Sequence, residues 1–426
     1  MVFGCTHHPV VPPVSLECYS VDMLHCSCAI VACLFLSATT AVFSSDPPAS
    51  QPASAPTSQS APEVAALPGI PELPDPFLFQ DGSRVKTPED WLRRRGEIRD
   101  LFLKYEYGTP PRKVPTVSAT EDSKSHDDQM HATVSRLTLH VGAENGFAVP
   151  LVLTTPAGGG PFSVIVTGDM CWGAVKPEIV SKAIERGYAI CDFDRTLFAP
   201  DSPDRTHGIY PLDPSADCGA SAAWAWGYSR VIDYLTTRAD LDTKKIIISG
   251  HSRGGKAVLL AGALDERVAL TNPNGSGSGG GGCFRVQGPK SETLAIIVTR
   301  FPYWFGPHFS EFIGYVDRLP FDQHELKALV APRALLTTDS LDDRWANPSG
   351  TQATYVASKV VFDFLDAGNN TGLHYRHGPH AHNEEDWAAL LDFADARLMG
   401  KTADAKFDVL PFTDLPAAFS WTAPSK

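Results

Sequence analysis

Residues 245–249, Lys-Ile-Ile-Ile-Ser, form a β-branched run that ends directly in Gly250-His251-Ser252-Arg253-Gly254. A short apolar run without polar alternation is a strand covered on both faces, as in a parallel sheet flanked by helices. A helix is expected over 253–264. The turn between them is the sharpest constraint in the chain. Glycines at 250 and 254 remove side chains where the backbone doubles back, so Ser252 can adopt strained geometry with its Oγ raised above the sheet edge. The first N–H groups of the helix then point at a developing oxyanion. G-x-S-x-G is common by chance, and a plain turn serine is the bland alternative. The strand–turn–helix setting favours a nucleophile.

The remaining pattern agrees. Segments 131–141 and 147–154 look like an antiparallel pair, and 162–167 and 188–193 like buried strands separated by a helix over 175–186 that stops at Gly187. An aromatic-striped core helix is expected over 220–237, then strands at 268–271 and 333–338. A helix over 351–365, a strand at 373–375 and a helix over 383–398 capped by Asn383 and Asp386 complete the series. This alternation predicts an α/β-hydrolase three-layer sandwich around a central, mostly parallel sheet.

Such a fold presents an acid and a histidine after the nucleophile, in that order. The loop after 333–338 reads Asp339-Ser340-Leu341-Asp342-Asp343-Arg344-Trp345, and the last strand is followed by Arg376-His377-Gly378-Pro379-His380-Ala381-His382. His380 is the expected base for the Ser252 proton, with a loop carboxylate fixing its tautomer. His380-x-His382 resembles a chelating pair, but no acid-rich partner motif accompanies it, so no metal is expected, nor any cofactor. His251 is expected to be a packed, hydrogen-bonded residue. The Gly-rich run 275–282 lacks the lysine of a phosphate loop and is expected as a tight loop under the site.

With 43% hydrophobic residues the 426-residue chain can bury a large core, and a net charge of −13 gives no footprint for nucleic acid or an anionic membrane. Residues 29–43 are apolar but shorter than a membrane-spanning helix, with Thr39 and Ala41 at the −3 and −1 positions of a signal-peptidase site. The expected organisation is therefore a secretory leader over 1–43, with Met23 as an alternative start, and a Pro/Ala/Ser-rich linker over 44–76. The catalytic domain is expected over 77–426, in a secreted or periplasmic protein without a membrane span. Of nine cysteines, Cys171, Cys191, Cys218 and Cys283 fall in that domain, where export permits a disulfide that sequence alone does not assign.

The stretches GHSRGGKA (250–257), GGGGCFRVQGPKSET, FPYWF (301–305), LPFDQHELKALVAPR (319–333), DDRWANP and HGPHAHNEEDW together resemble the glucuronoyl esterases over about 245–390. The resemblance implies cleavage of esters between 4-O-methyl-glucuronic acid on xylan and lignin alcohols. It also implies Ser252 as nucleophile, His380 as base and Arg253 as an oxyanion contact through side chain and N–H. Lys256 and Glu292 would touch sugar hydroxyls, and Trp345 would line the uronate pocket. Many family members place the acid after the strand that follows the nucleophile helix. Here that segment is Thr271-Asn272-Pro273-Asn274-Gly275, without a carboxylate, which directs the role to Asp343, with Asp342 second. The expected partner is a glucuronoxylan or lignin–carbohydrate ester, met by a monomer. A xylan deacetylase uses the same triad, and a catalytically silent carbohydrate-binding protein is the alternative of another class. A peptidase of similar fold is disfavoured by the lack of a repeat domain.

Overall fold

The computed structural model describes residues 64–143, 146–402 and 406–425. The leader over 1–43 and the linker over 44–63 lie outside the described residues.

Among the described residues nine strands make one sheet: β1 (Val117–Asp127), β2 (Ala132–Val141), β3 (Phe147–Pro156), β4 (Phe162–Thr167), β5 (Tyr188–Phe193), β6 (Leu241–His251), β7 (Val268–Asn274), β8 (Ala334–Ser340) and β9 (Thr371–Arg376). Their order across the sheet is β1-β2-β3-β5-β4-β6-β7-β8-β9. The pairings β1–β2, β2–β3 and β3–β5 are antiparallel, and all pairings from β5 through β9 are parallel. The chain therefore has the α/β-hydrolase sandwich its sequence predicts. Among the described residues eight α-helices accompany the sheet: α1 (Pro88–Phe102), α2 (Pro177–Glu185), α3 (Ala220–Leu235), α4 (Arg253–Leu264), α5 (Leu294–Arg300), α6 (Gln323–Ala328), α7 (Pro348–Phe364) and α8 (Glu384–Leu398).

Strand alternation feeds two cores. On β6, Ile246 and Ile248 join the cluster that holds α3, α4 and α7 residues, while Ile247 joins the one built with α2 and α8. Both faces of the central strands are thus buried, which is why their sequences run apolar without a break. Helix α4 lies against β7 because Gly262 carries no Cβ; one added there would come within 2.0 Å of Thr271 Oγ1.

Residues 64–76, expected as the end of the linker, are instead laid on the body. Leu73 is fully buried, its N–H donates to Ala418 O (2.9 Å), and Trp421 Nε1 donates to its carbonyl (2.7 Å). Composition alone favours a solvated spacer, but scattered apolar residues there find a partner in the C-terminal tail. Four elements escaped the sequence reading: α1, β1 and the short helices α5 and α6. Helix α1 starts at Thr87, whose Oγ1 accepts from the Asp90 N–H (3.2 Å), and it buries Trp91, Ile98 and Phe102 on one side. Strand β1 is an edge strand, mostly exposed and polar, so it shows no apolar alternation. The four described cysteines, Cys171, Cys191, Cys218 and Cys283, are all free. No helix among the described residues is long and apolar enough to cross a membrane.

Candidate active site

The turn between β6 and α4 is strained as the motif demands. Ser252 sits at φ 55°, ψ −122°, a left-handed geometry costly for a residue with a Cβ. A Cβ on Gly250 would meet Gly254 O at 2.7 Å, and one on Gly254 would meet Asp169 Oδ1 at 2.2 Å. Asp169 braces the turn from the strand beside it. Its Oδ2 accepts from His251 N (2.7 Å) while Oδ1 pairs with the fully buried Arg195.

Three loops at the carboxyl ends of β6, β8 and β9 bring the predicted groups together. Ser252 Oγ lies 2.9 Å from His380 Nε2, and His380 Nδ1 is hydrogen-bonded to Asp343 Oδ2. Asp343 is buried and His380 partly exposed, so the chain of groups runs from interior to cleft. Asp342, the second choice, lies elsewhere: its exposed carboxylate accepts from Gly378 N (2.7 Å) and contacts His377 Nδ1 (3.2 Å).

The loop carrying His380 is gripped by one buried guanidinium. Arg376 Nη1 donates to the carbonyls of His377 (3.1 Å) and Pro379 (3.1 Å), and Nη2 to Ala381 O (2.5 Å). Its Nε donates to Asp386 Oδ2 (2.7 Å), a fully buried carboxylate that balances the charge. Rigid presentation of the His380 ring follows from those contacts.

His251 is packed and hydrogen-bonded, as expected. His251 Nδ1 lies 2.6 Å from Asn274 Oδ1, and burial, reinforced by the neighbouring His380, holds its pKa down at about 4. His382 stacks on Trp387 with 4.9 Å between centroids, and burial lowers its pKa well below the usual imidazole range. Among the described residues no group of three His, Cys, Asp or Glu side chains is placed to hold a metal ion.

The triad opens into a cleft of about 380 Å³ lined by Trp172, Arg253, Lys256, Ser276, Glu292, Arg300, Phe301, Trp304 and Trp345, among others. Lys256 is buried, and its Nζ donates to Ser276 O (2.6 Å), Ser278 O (2.5 Å) and Glu292 Oε1 (2.8 Å). An ammonium has three N–H donors, so any contact with a sugar hydroxyl must displace one of these partners. The Gly-rich segment is the loop that supplies two of them, lying beneath the cleft. Trp345 stands half-exposed at the rim with Arg300 over its ring (5.2 Å). Arg253 extends its guanidinium over Trp304 (4.7 Å) and pairs with Asp201. Sequence reasoning missed Asp201, Arg376, Asp169 and Trp172, and it gave Trp304 no role although the residue sits in the Phe301–Phe305 motif.

A family model described as glucuronyl esterase, fungi, matches residues 141–366 of this chain. The 4-O-methyl-glucuronoyl methylesterase of Phanerochaete carnosa is 31% identical over 350 residues, covering 78% of this chain and 82% of its own. The chain belongs to the glucuronoyl esterase family. Its site is accordingly that of a carboxylic ester hydrolase. Among solved structures, a carbohydrate esterase family 15 glucuronoyl esterase from Caldicellulosiruptor kristjansonii is 33% identical with a TM-score of 0.73, covering 85% of this chain and 99% of its own. A glucuronoyl esterase mutant from Sporotrichum thermophile, solved in complex with methyl 4-O-methyl-β-D-glucopyranuronate, is 26% identical with a TM-score of 0.68, covering 83% of this chain and 94% of its own.

Proposed function

We propose that this glucuronoyl esterase hydrolyses 4-O-methyl-glucuronate esters of the lignin–carbohydrate type through an acyl-enzyme on Ser252. The observation that carries the reading is the unbroken Ser252–His380–Asp343 chain at the mouth of a cleft walled by tryptophans and a buried Lys256–Glu292 pair. His380 Nε2 takes the Ser252 proton as Oγ bonds to the ester carbonyl carbon, and the charge moves to the carbonyl oxygen. The Arg253 N–H at the first turn of α4, with its guanidinium nearby, meets that oxyanion. Collapse breaks the bond to the alcohol oxygen, which leaves with the proton from His380. Water then gives a proton to His380 and its oxygen to the acyl carbon, the bond to Oγ breaks as His380 returns that proton to Ser252, and the uronic acid is released. Asp343 holds the imidazole in the tautomer that both steps need.

The uronate ring is assigned to the Trp345 side of the cleft, with Glu292 and Lys256 as hydroxyl partners. Buried polar groups of that kind discriminate strongly, because a ligand lacking the hydroxyl leaves them unpaired. The proposed partner is a polysaccharide-borne ester, met by a monomer. The unit spanning 64–426 is the catalytic domain, and export through the 1–43 leader is checked by N-terminal sequencing of the mature protein. Hydrolysis of benzyl glucuronate compared with 4-nitrophenyl acetate and acetylated xylan tests the reading. Preference for the glucuronate ester is expected, and preference for the acetyl esters replaces it with deacetylation.

A further inference from the structure

Two of the cations that line the cleft, Lys256 and Arg253, are each closed off by a carboxylate. Lys256 is paired with Glu292, and Arg253 Nη1 donates to Asp201 Oδ2 (2.5 Å). The other oxygen of Asp201 accepts from Trp304 Nε1 (2.8 Å), so one side chain ties the guanidinium to the aromatic wall beneath it. Asp201 lies beyond the end of β5, remote in sequence from both partners, and is only partly buried.

The reaction reverses the charge demand on this wall. A neutral ester enters, and the acid it becomes loses a proton at neutral pH and leaves as an anion. A bare guanidinium next to the acyl carbon, in a partly desolvated cleft, would attract that anion far more than the ester and retain the product. We propose that Asp201 is a positioning and specificity residue that holds the Arg253 guanidinium on Trp304 and cancels its charge, so that the cleft favours the neutral ester over the carboxylate product. The proposal rests on the glucuronoyl ester reading above. The neighbouring groups leave Asp201 this task. His251 is kept neutral near pH 7 by burial and by His380. Burial pushes Glu106, which acts on Lys256 through the interior, up to about 8, so it adds no full charge there. Arg300 at the rim is exposed and its field is screened by solvent.

The experiment is inhibition of benzyl glucuronate hydrolysis by free glucuronate and by glucuronamide, its uncharged isostere, in the wild type and in Asp201→Asn. The inhibition constant for glucuronate is expected to fall by about tenfold or more, with that for glucuronamide unchanged and the difference shrinking in added salt. A residue that only scaffolds the loop would move both constants together, and that result, or no movement in either, overturns the proposal. Asp201→Ser is the second variant, and thermal unfolding of each confirms that a folded enzyme is compared. Wild-type enzyme inert on benzyl glucuronate would sink the functional reading itself. An active wild type with an unmoved ratio would sink only the role of Asp201.

Discussion

The loops that follow β7 and β8 leave neighbouring parallel strands at the same edge of the sheet, yet each serves a different histidine in an opposite way. After β7 the chain offers an amide. Asn274 Oδ1 lies 2.6 Å from His251 Nδ1, while its Nδ2 donates to Thr338 Oγ1 (2.9 Å). After β8 it offers a carboxylate, Asp343, to His380 Nδ1. An amide brings no charge to the His251 ring, which burial and His380 keep neutral, whereas a carboxylate stabilises the imidazolium formed when a ring accepts a proton. The two rings are 4.4 Å apart, so under the proposed mechanism one acceptor supports the base His380 and the other an uncharged neighbour that does not compete with it. The acid therefore need not follow β7. It needs only to reach Nδ1.

The contrast is broken most severely by Asp343→Asn, for which kcat on benzyl glucuronate should fall by about 10⁴-fold with the fold intact. Next comes Arg376→Lys, which keeps a charge beside Asp386 but loses the fork that holds three carbonyls of the His380 loop. Up to about 10²-fold in kcat is expected, with KM nearly constant, because the base is misplaced rather than the sugar site. A KM rise at constant kcat would show that Arg376 supports binding instead.

Asn274→Asp sharpens the comparison from the other side. The folded pKa of His251 lies below the ordinary imidazole value, so between about 6.5 and about 4 the unfolded chain binds a proton that the folded chain refuses. Stability is thus lost as pH falls through that window, by up to about 1.4 kcal/mol per pH unit for this group, and the loss levels off below it. A carboxylate at 274 should raise the His251 pKa and flatten the decline of Tm between pH 7 and 4. Part of the slope that remains belongs to His324, His374 and His382, whose pKa values burial also lowers. The smallest effect is expected for Asp342→Asn, less than about threefold in kcat, since its pair with His377 is solvent-exposed. A loss matching that of Asp343→Asn would reverse the assignment of the acid.

Much of this was legible because local physics wrote it into consecutive residues. The run 245–249 and its glycine turn specified β6, Ser252 and α4 together, and β5 has the bounds its apolar run predicts. The acid loop and His380 could be placed because each follows a recognisable strand at the same sheet edge, and the family resemblance directed the choice within that loop to Asp343. Strand β1 was illegible for the opposite reason: a mostly solvated edge strand has no buried face to enforce alternation. Asp201 and Arg376 were missed for a third. Asp201 sits in a polar loop far from Arg253 in sequence, and Arg376 is a charge at the end of a strand whose partners are carbonyl oxygens. No periodicity encodes such contacts. For Lys256, the helical spacing from Ser252 was visible, but the three acceptors that occupy it were not.

Treatment with a fluorophosphonate, followed by peptide mapping alongside the benzyl glucuronate assay, tests the central claim most directly. One adduct per chain on Ser252 is expected, with hydrolysis lost in proportion to labelling and neither labelling nor hydrolysis in Ser252→Ala. Full ester hydrolysis by an unlabelled chain, or by Ser252→Ala, would contradict it.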